Sequence, residues 1–225
     1  MPLEPALRDR LARRWPLAES STGLALGEAL LDAWSQAQRG YHDLQHLAEV
    51  LDRLDDLHPH TGHDARVTAL AAWFHDAVYD AARDPEGRSA DWARTALTGL
   101  VTDVEVEEVA RLVLLTREHS PAPEDVDGIA LCDADLAILA AAPERYEAYV
   151  AGVRQEYASV PDELFAQGRA EVLRHFLGRE HVFASAAARS AWEADARRNA
   201  TDELRRLETA VHSGAGAWVD ADQQP

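Results

Sequence analysis

Apolar residues recur along this chain at intervals of three and four, the repeat that places side chains on one face of an α-helix. Leu3, Leu7 and Leu11 begin the pattern, and Leu26, Leu30 and Trp34 continue it. Leu44, Leu47, Leu51 and Leu54 follow the 3-4-3 spacing of an amphipathic face. Val67, Leu70, Phe74 and Val78 form a further stripe with Ala71 between them. Others run through Val106, Val109, Leu112, Val113 and Thr116, and through Tyr146, Tyr149, Val150, Val153 and Tyr157. Phe165, Val172, Phe176 and Leu177 follow Pro161, and residues 184–210, rich in Ala, Arg and Glu, predict a long helix. Turn chemistry places loops at 58–64 (HPHTGHD), 83–89 (RDPEGRS) and 120–128 (SPAPEDVDG). No alternating run of β type exceeds about four residues, and no internal repeat is present. The pattern predicts an all-α fold, one helical bundle over residues 1–211 followed by a small, polar and mobile tail over 212–225.

Composition narrows the classes of function. With 225 residues and 47% hydrophobic content the chain can bury a sizeable core. The single cysteine, Cys132, excludes an internal disulfide and a cysteine-rich zinc site, and suits a reducing cytoplasm. No segment reaches the roughly 18 apolar residues of a membrane span. A formal charge of −18 repels nucleic acid polymers. It does not forbid a small phosphorylated substrate, because a bound cation and a few arginines reverse the potential inside one cleft.

Polar groups set into apolar runs are the candidates for chemistry. ALAAWFHDAVYD at 69–80 places His75 and Asp76 side by side within a core-like stretch, where an unpaired carboxylate is costly. RGYHDLQHLAEVL at 39–51 carries His42 and His46, which share a face at i, i+4 if both are helical. ALCDADLAILA at 130–140 carries Asp133 and Asp135, and Asp133 also reads as the cap of a helix beginning near Ala134. One divalent cation shared by His46, His75, Asp76 and Asp135 accounts for all of these burials together. Two neutral imidazoles and two carboxylates cancel its charge and leave coordination positions for water and substrate. The mixed N/O set suits Mn, Fe, Co, Zn, Ni or Mg rather than Ca. On an ideal helix His75 and Asp76 point about 100° apart, so helical geometry alone does not pair them.

The ordered set H…HD…D resembles the HD superfamily of metal-dependent phosphohydrolases, in which these four positions hold the metal. GYHDLQH, WFHDAVYD, EGRSA, T-x-x-H at 116–119, DADLAIL, VRQEY, F-x-x-GR at 165–169 and the late ARRN are similar to one poorly characterised bacterial branch of it, over residues 24–208. The resemblance implies an HD-domain helical bundle. The implied activity is hydrolysis of a phosphoester or phosphoanhydride in a small molecule, a nucleotide being the expected class, through water activated by the metal. It implies Asp80 or Glu86 as the carboxylate that accepts or orients a proton. Arg154, Arg169 and Arg197 fall in segments matching that branch and suit phosphate oxygens, while His42 and His119 are placed to touch the substrate. Tyr41, Trp73 and Tyr79 are candidate walls for a base-sized pocket. The branch reads N-E-x-x-S-A where this chain has Pro85 before Glu86, so a hydrogen bond of that asparagine is lost here. Two alternatives keep the metal: a nucleotide sensor without turnover, and a di-iron oxygenase, the latter short of histidines because His119 alone lies between 76 and 135.

Overall fold

The computed structural model describes residues 3–79 and 84–215. Among them are ten α-helices, one short 3-10 turn and no strand, so the fold is all-α. The helices are α1 (Leu3–Ala12), α2 (Ser21–Trp34), α3 (Leu44–Thr61), α4 (Ala65–Phe74), α5 (Pro85–Leu97), α6 (Asp103–Leu115), α7 (Val126–Leu136), α8 (Pro143–Glu156), α9 (Asp162–Gly178) and α10 (Ala186–Ala215). The 3-10 turn, Ala137–Ala140, follows α7 directly.

Local chemistry sets most of the helix starts. Asp43 accepts from the N–H groups of Gln45 and His46, Asp64 from those of Arg66 and Val67, and Asp125 from that of Gly128. Thr102 and Glu105 form a reciprocal capping box at α6. Three expected loops are shorter than the composition suggested. α3 runs through Pro59 and stops at Gly62, whose φ of 68° and N–H to His58 O end the helix. α5 starts at Pro85, because proline suits the first helical position and Asp84 caps it through Gly87 N–H. Glu86 therefore lies in a helix's first turn rather than a loop. α7 takes over at Val126.

α3 lies at the centre, packed on α4 and α7, with α4 against α6 and α6 against α5. α10 packs on α9 and on the 3-10 turn. Trp34, Trp73, Phe74, Leu47, Leu51 and Leu70 are fully buried, and Trp34 donates its indole N–H to Trp73 O at 2.9 Å. The stripe expected in α9 is displaced: Val172 is exposed, while Ala166, Ala170 and Leu173 face inward. Among the described residues no helix is long and apolar enough to cross a membrane.

One contact brings α8 onto the turn before α3. A Cβ on Gly152 would stand 2.4 Å from Gly40 O, and one on Gly40 would stand 2.3 Å from Gly152 O. Only glycine at both places allows this approach, which carries Glu156, one helical turn further on, to the backbone at residues 40–42.

Candidate metal centre

Three chain segments deliver the buried polar groups to one point. His46 enters from the first turn of α3, with only 2% of its side chain exposed. His75 is not inside a helix, as its apolar setting suggested, but caps the C-terminus of α4. His75 keeps helical backbone angles (φ −56°, ψ −40°) and its N–H still bonds Ala71 O, and the Asp76 carboxylate nonetheless reaches 3.4 Å from His75 Nε2. Asp135 comes from the last turn of α7.

The donor atoms converge. His46 Nε2 lies 3.2 Å from His75 Nε2 and 3.2 Å from Asp135 Oδ1. His75 Nε2 is 3.6 Å from Asp135 Oδ1 and 3.4 Å from Asp76 Oδ2, and His46 Nε2 is 3.8 Å from the latter. Ligands about 2.1 Å from one ion sit roughly 3.0 Å apart in an octahedral arrangement and about 3.4 Å apart in a tetrahedral one. His46, His75 and Asp135, with donor atoms all within 4.8 Å of one another, could hold a metal ion. His75 is oriented for this, since its Nδ1–H donates to Ala72 O at 2.8 Å and turns Nε2 inward.

The electrostatics of the cluster are those of a site short of positive charge. At His46 burial prevails and lowers the pKa, keeping the imidazole neutral. Burial acts the same way on His75, but the carboxylates of Asp76 and Asp135 outweigh it and raise its pKa to about 9. Asp135, although buried, is held well below the usual carboxylate range by the charge of His75 and by hydrogen bonds from His119, His46 and His75.

The remaining expected residues divide. His42 lies before α3 rather than on it, so the i, i+4 face shared with His46 does not exist. It reaches the cluster through the turn instead, its Nε2 3.8 Å from Asp76 Oδ2. His119 sits on the far oxygen of Asp135 at 2.8 Å and adopts a φ of 46°, a strained value for a non-glycine residue. Arg179 holds it there through the carbonyls of Glu118 and His119. Glu86 faces Arg117, with 3.6 Å between Oε2 and Nε, and Asp84 also pairs with Arg117. Asp80 lies outside the described residues.

The three arginines expected on phosphate are engaged elsewhere. Arg154 donates to the carbonyls of Tyr157 and Val160 and pairs with Asp162. Arg169 forms a buried pair with Glu203, which also accepts from Tyr146 Oη at 2.5 Å. Arg197 pairs with Glu193 and binds the carbonyls of Leu177, Arg179 and Glu180. Among the described residues no hydrogen bond or ion pair joins these arginines to the cluster. Arg154 and Arg197 satisfy carbonyls at helix ends and Arg169 a buried acid, needs that make the same demand for arginine as phosphate does. Asp133 likewise does not cap a helix at Ala134. It sits inside α7 and accepts from the N–H groups of Ala184 and Ser185, fixing the entry to α10.

Two residues that no spacing argument singled out support the site. Glu156 Oε1 accepts the backbone N–H groups of Gly40, Tyr41 and His42, each at 2.9 Å. Its Oε2 faces His42 Nδ1 at 2.8 Å and accepts Tyr79 Oη–H at 2.9 Å. Burial opposes its charge, yet these donors bring its pKa down to about 2. Arg39, 6% exposed, donates to the carbonyls of His42, Asp76 and Ala77 and lies over the rings of Trp34 and Tyr79. It thereby ties the turn bearing His42 to the turn bearing Asp76.

Beside the cluster is a cavity of about 310 Å³, lined by His46 and Asp135 together with Tyr41, Glu49, Arg53, Arg145 and Trp192. Comparison of the chain with protein-family models, with curated proteins and with solved structures gave no match in any of the three.

Proposed function

We propose that the protein is a metal-dependent phosphohydrolase of the HD type, cleaving a phosphoester or phosphoanhydride of a small molecule. The observation that carries this reading is the convergence of His46, His75 and Asp135, with Asp76 alongside, at the spacing of ligands around one ion. Asp76 is the fourth ligand in this reading. Its side chain, 17% exposed, marks the side of the cluster open to substrate.

When bound, the divalent ion acidifies a water and balances charge developing on the phosphoryl oxygens. The chain's own groups supply the rest. Asp135 offers Oδ1 to the cluster while His119, on Oδ2, fixes the carboxylate plane. His75 presents its Nε2 lone pair because Ala72 O takes the Nδ1 proton. Glu156 does the same for His42, whose Nε2 is free to hold a proton against a substrate oxygen on the open side. Asp80 and Glu86 remain the candidate outer carboxylates.

The test is phosphate release from a panel of nucleotides with Mn, Co or Mg, run beside metal analysis of the purified protein. About one equivalent of metal and metal-dependent release support the hydrolase. Two equivalents of iron favour an oxygenase, and binding without release favours a sensor.

A further inference from the structure

Three of the chain's ten histidines fall in HPHTGH at residues 58–63, and none of them belongs to the metal centre. His58 and His60 lie in the last turn of α3, and Gly62 ends the helix with its N–H on His58 O. The chain folds back there, so the His63 ring meets the His58 ring edge to face, with centroids 4.9 Å apart. His58 is exposed, whereas only 2% of His63 is. His60 stands two residues from His58, about 200° around the helix, and so faces away from the pair.

Local hydrogen bonds leave one nitrogen of His63 available. Thr61 Oγ1 donates to Leu57 O at 3.2 Å, so toward His63 Nδ1, 2.7 Å away, it accepts. The proton is thereby fixed on Nδ1 and the lone pair on Nε2, the same arrangement by which Ala72 O orients His75. Among the described residues no hydrogen bond occupies His63 Nε2. Burial, and after it the charge of His58, hold the His63 pKa below its ordinary value, so the ring is neutral at pH 7. The ring spacing fits a shared ion. Two imidazoles whose nitrogens lie about 2.1 Å from one metal place their centroids roughly 4.5–5.2 Å apart, for angles between square and tetrahedral. The candidate ligands His46 and His75 stand at 5.3 Å. Two neighbouring fields favour a cation at this point: the carbonyls at the C-terminal end of α3, and the carboxylates of Asp64 and Asp55.

We propose that His58 and His63 form a second metal site, separate from the centre at His46, for a divalent ion that prefers imidazole nitrogen: Zn, Cu or Ni rather than Mg or Ca. His46 and His58 stand in the first and last turns of α3, twelve residues or about 18 Å apart at 1.5 Å per residue, so the two sites share no ion. Two nitrogens with water completing the shell make a weaker site than the centre with its carboxylates. An ion here fastens the end of α3 to the segment entering α4, the two helices that carry His46 and His75 to the centre. The inference goes beyond the hydrolase reading and does not depend on it.

Calorimetric titration of the full chain with Zn²⁺, followed in parallel by nitrogen-15 NMR of the imidazoles, tests this. Wild type is expected to take up two equivalents, and His58→Ala, a change at an exposed side chain, should reduce them to one. Asp135→Ala, which removes a ligand candidate of the centre, should keep the weaker equivalent, with His63 Nε2 shifted by the metal. Adding His58→Ala to Asp135→Ala should weaken that binding by tenfold or more, and adding His60→Ala should leave it unchanged. Zinc should raise the Tm of Asp135→Ala and not that of its His58→Ala double variant. Two equivalents retained in His58→Ala, an unshifted His63 Nε2, or equal losses from His58→Ala and His60→Ala overturns the proposal. A single equivalent in wild type that disappears with Asp135→Ala overturns it too and leaves the hydrolase reading intact. A single equivalent that disappears with His58→Ala upholds it and counts against the metal centre instead.

Discussion

Replacing Glu156 by glutamine isolates the role of one buried charge. The side chain is 2% exposed, and its two oxygens serve five donors. Glutamine has the same shape and keeps one carbonyl oxygen. That oxygen must stay on the Oε1 side, because three backbone N–H groups converge there and an amide NH₂ would meet them donor to donor. The NH₂ then faces His42 Nδ1 and Tyr79 Oη. Tyrosine adapts by accepting. His42 can adapt only by presenting a lone pair at Nδ1, which moves its neutral-state proton to Nε2, the nitrogen turned toward Asp76.

The energetic consequence follows from the pKa of about 2, against 4.5 for an ordinary glutamate. At 1.36 kcal/mol per pKa unit the folded state gains about 3 kcal/mol from ionised Glu156. Because the folded pKa is the lower one, this stability is fully present above pH 4.5 and is lost as pH falls through about 2. Glu156→Gln should thus be about 3 kcal/mol less stable than wild type in urea at pH 6, and the gap should narrow steadily below pH 4.5. Nitrogen-15 NMR of the imidazoles should report the Nε2–H tautomer of His42 in the variant. A stability gap of the same size at pH 6 and pH 3, or an unchanged tautomer, would refute the clamp.

The other expectations are simpler. Asp76→Ala should abolish turnover and weaken metal binding by more than about 100-fold, beyond the range for outer-shell partners, as read by metal titration; near-normal affinity would remove Asp76 from the ligand set. Arg39→Met keeps the stem over Trp34 but strands the carbonyls of His42, Asp76 and Ala77, so unfolding should become easier by about 3 kcal/mol, measured by denaturant titration. Gly152→Ala would normally stabilise a helix interior by about 0.5–1 kcal/mol. Here the new methyl meets Gly40 O, so a loss of about 2–3 kcal/mol is expected, together with reduced activity as the His42 turn shifts.

What the sequence disclosed about the site depended on the contrast between a residue and its neighbours. His46, His75 and Asp135 are conspicuous because each is polar within an apolar run, and burial of such a group implies a partner whichever fold surrounds it. Helical periodicity gave the all-α class for the same reason, since it too is written in local contrast. Three motifs show where that logic stops. In VRQEY the expected ligand-binding residue was Arg154, but Glu156 touches His42 while Arg154 closes the end of α8. In ARRN the expected residue was Arg197, yet Asn199 holds the carbonyls of Leu139 and Ala141 beside the cavity. In EGRSA attention fell on Glu86, whereas fully buried Ser89 accepts Val78 N–H and anchors the turn after His75 and Asp76. Charge drew the choice in each case because substrate recognition calls for charge. The residues found nearest the site's scaffold instead satisfy backbone groups, and which N–H or C=O lacks a partner is decided only when distant segments meet. Arg39 makes the same point: 37 residues separate it from Asp76, and its burial depends on a turn-to-turn contact with no periodic trace. Ligands to an ion can therefore be picked out from local pattern, while the groups that aim them must be read from tertiary contacts, and mutational tests of this site should weigh Glu156, Ser89 and Arg39 as heavily as the four ligand candidates.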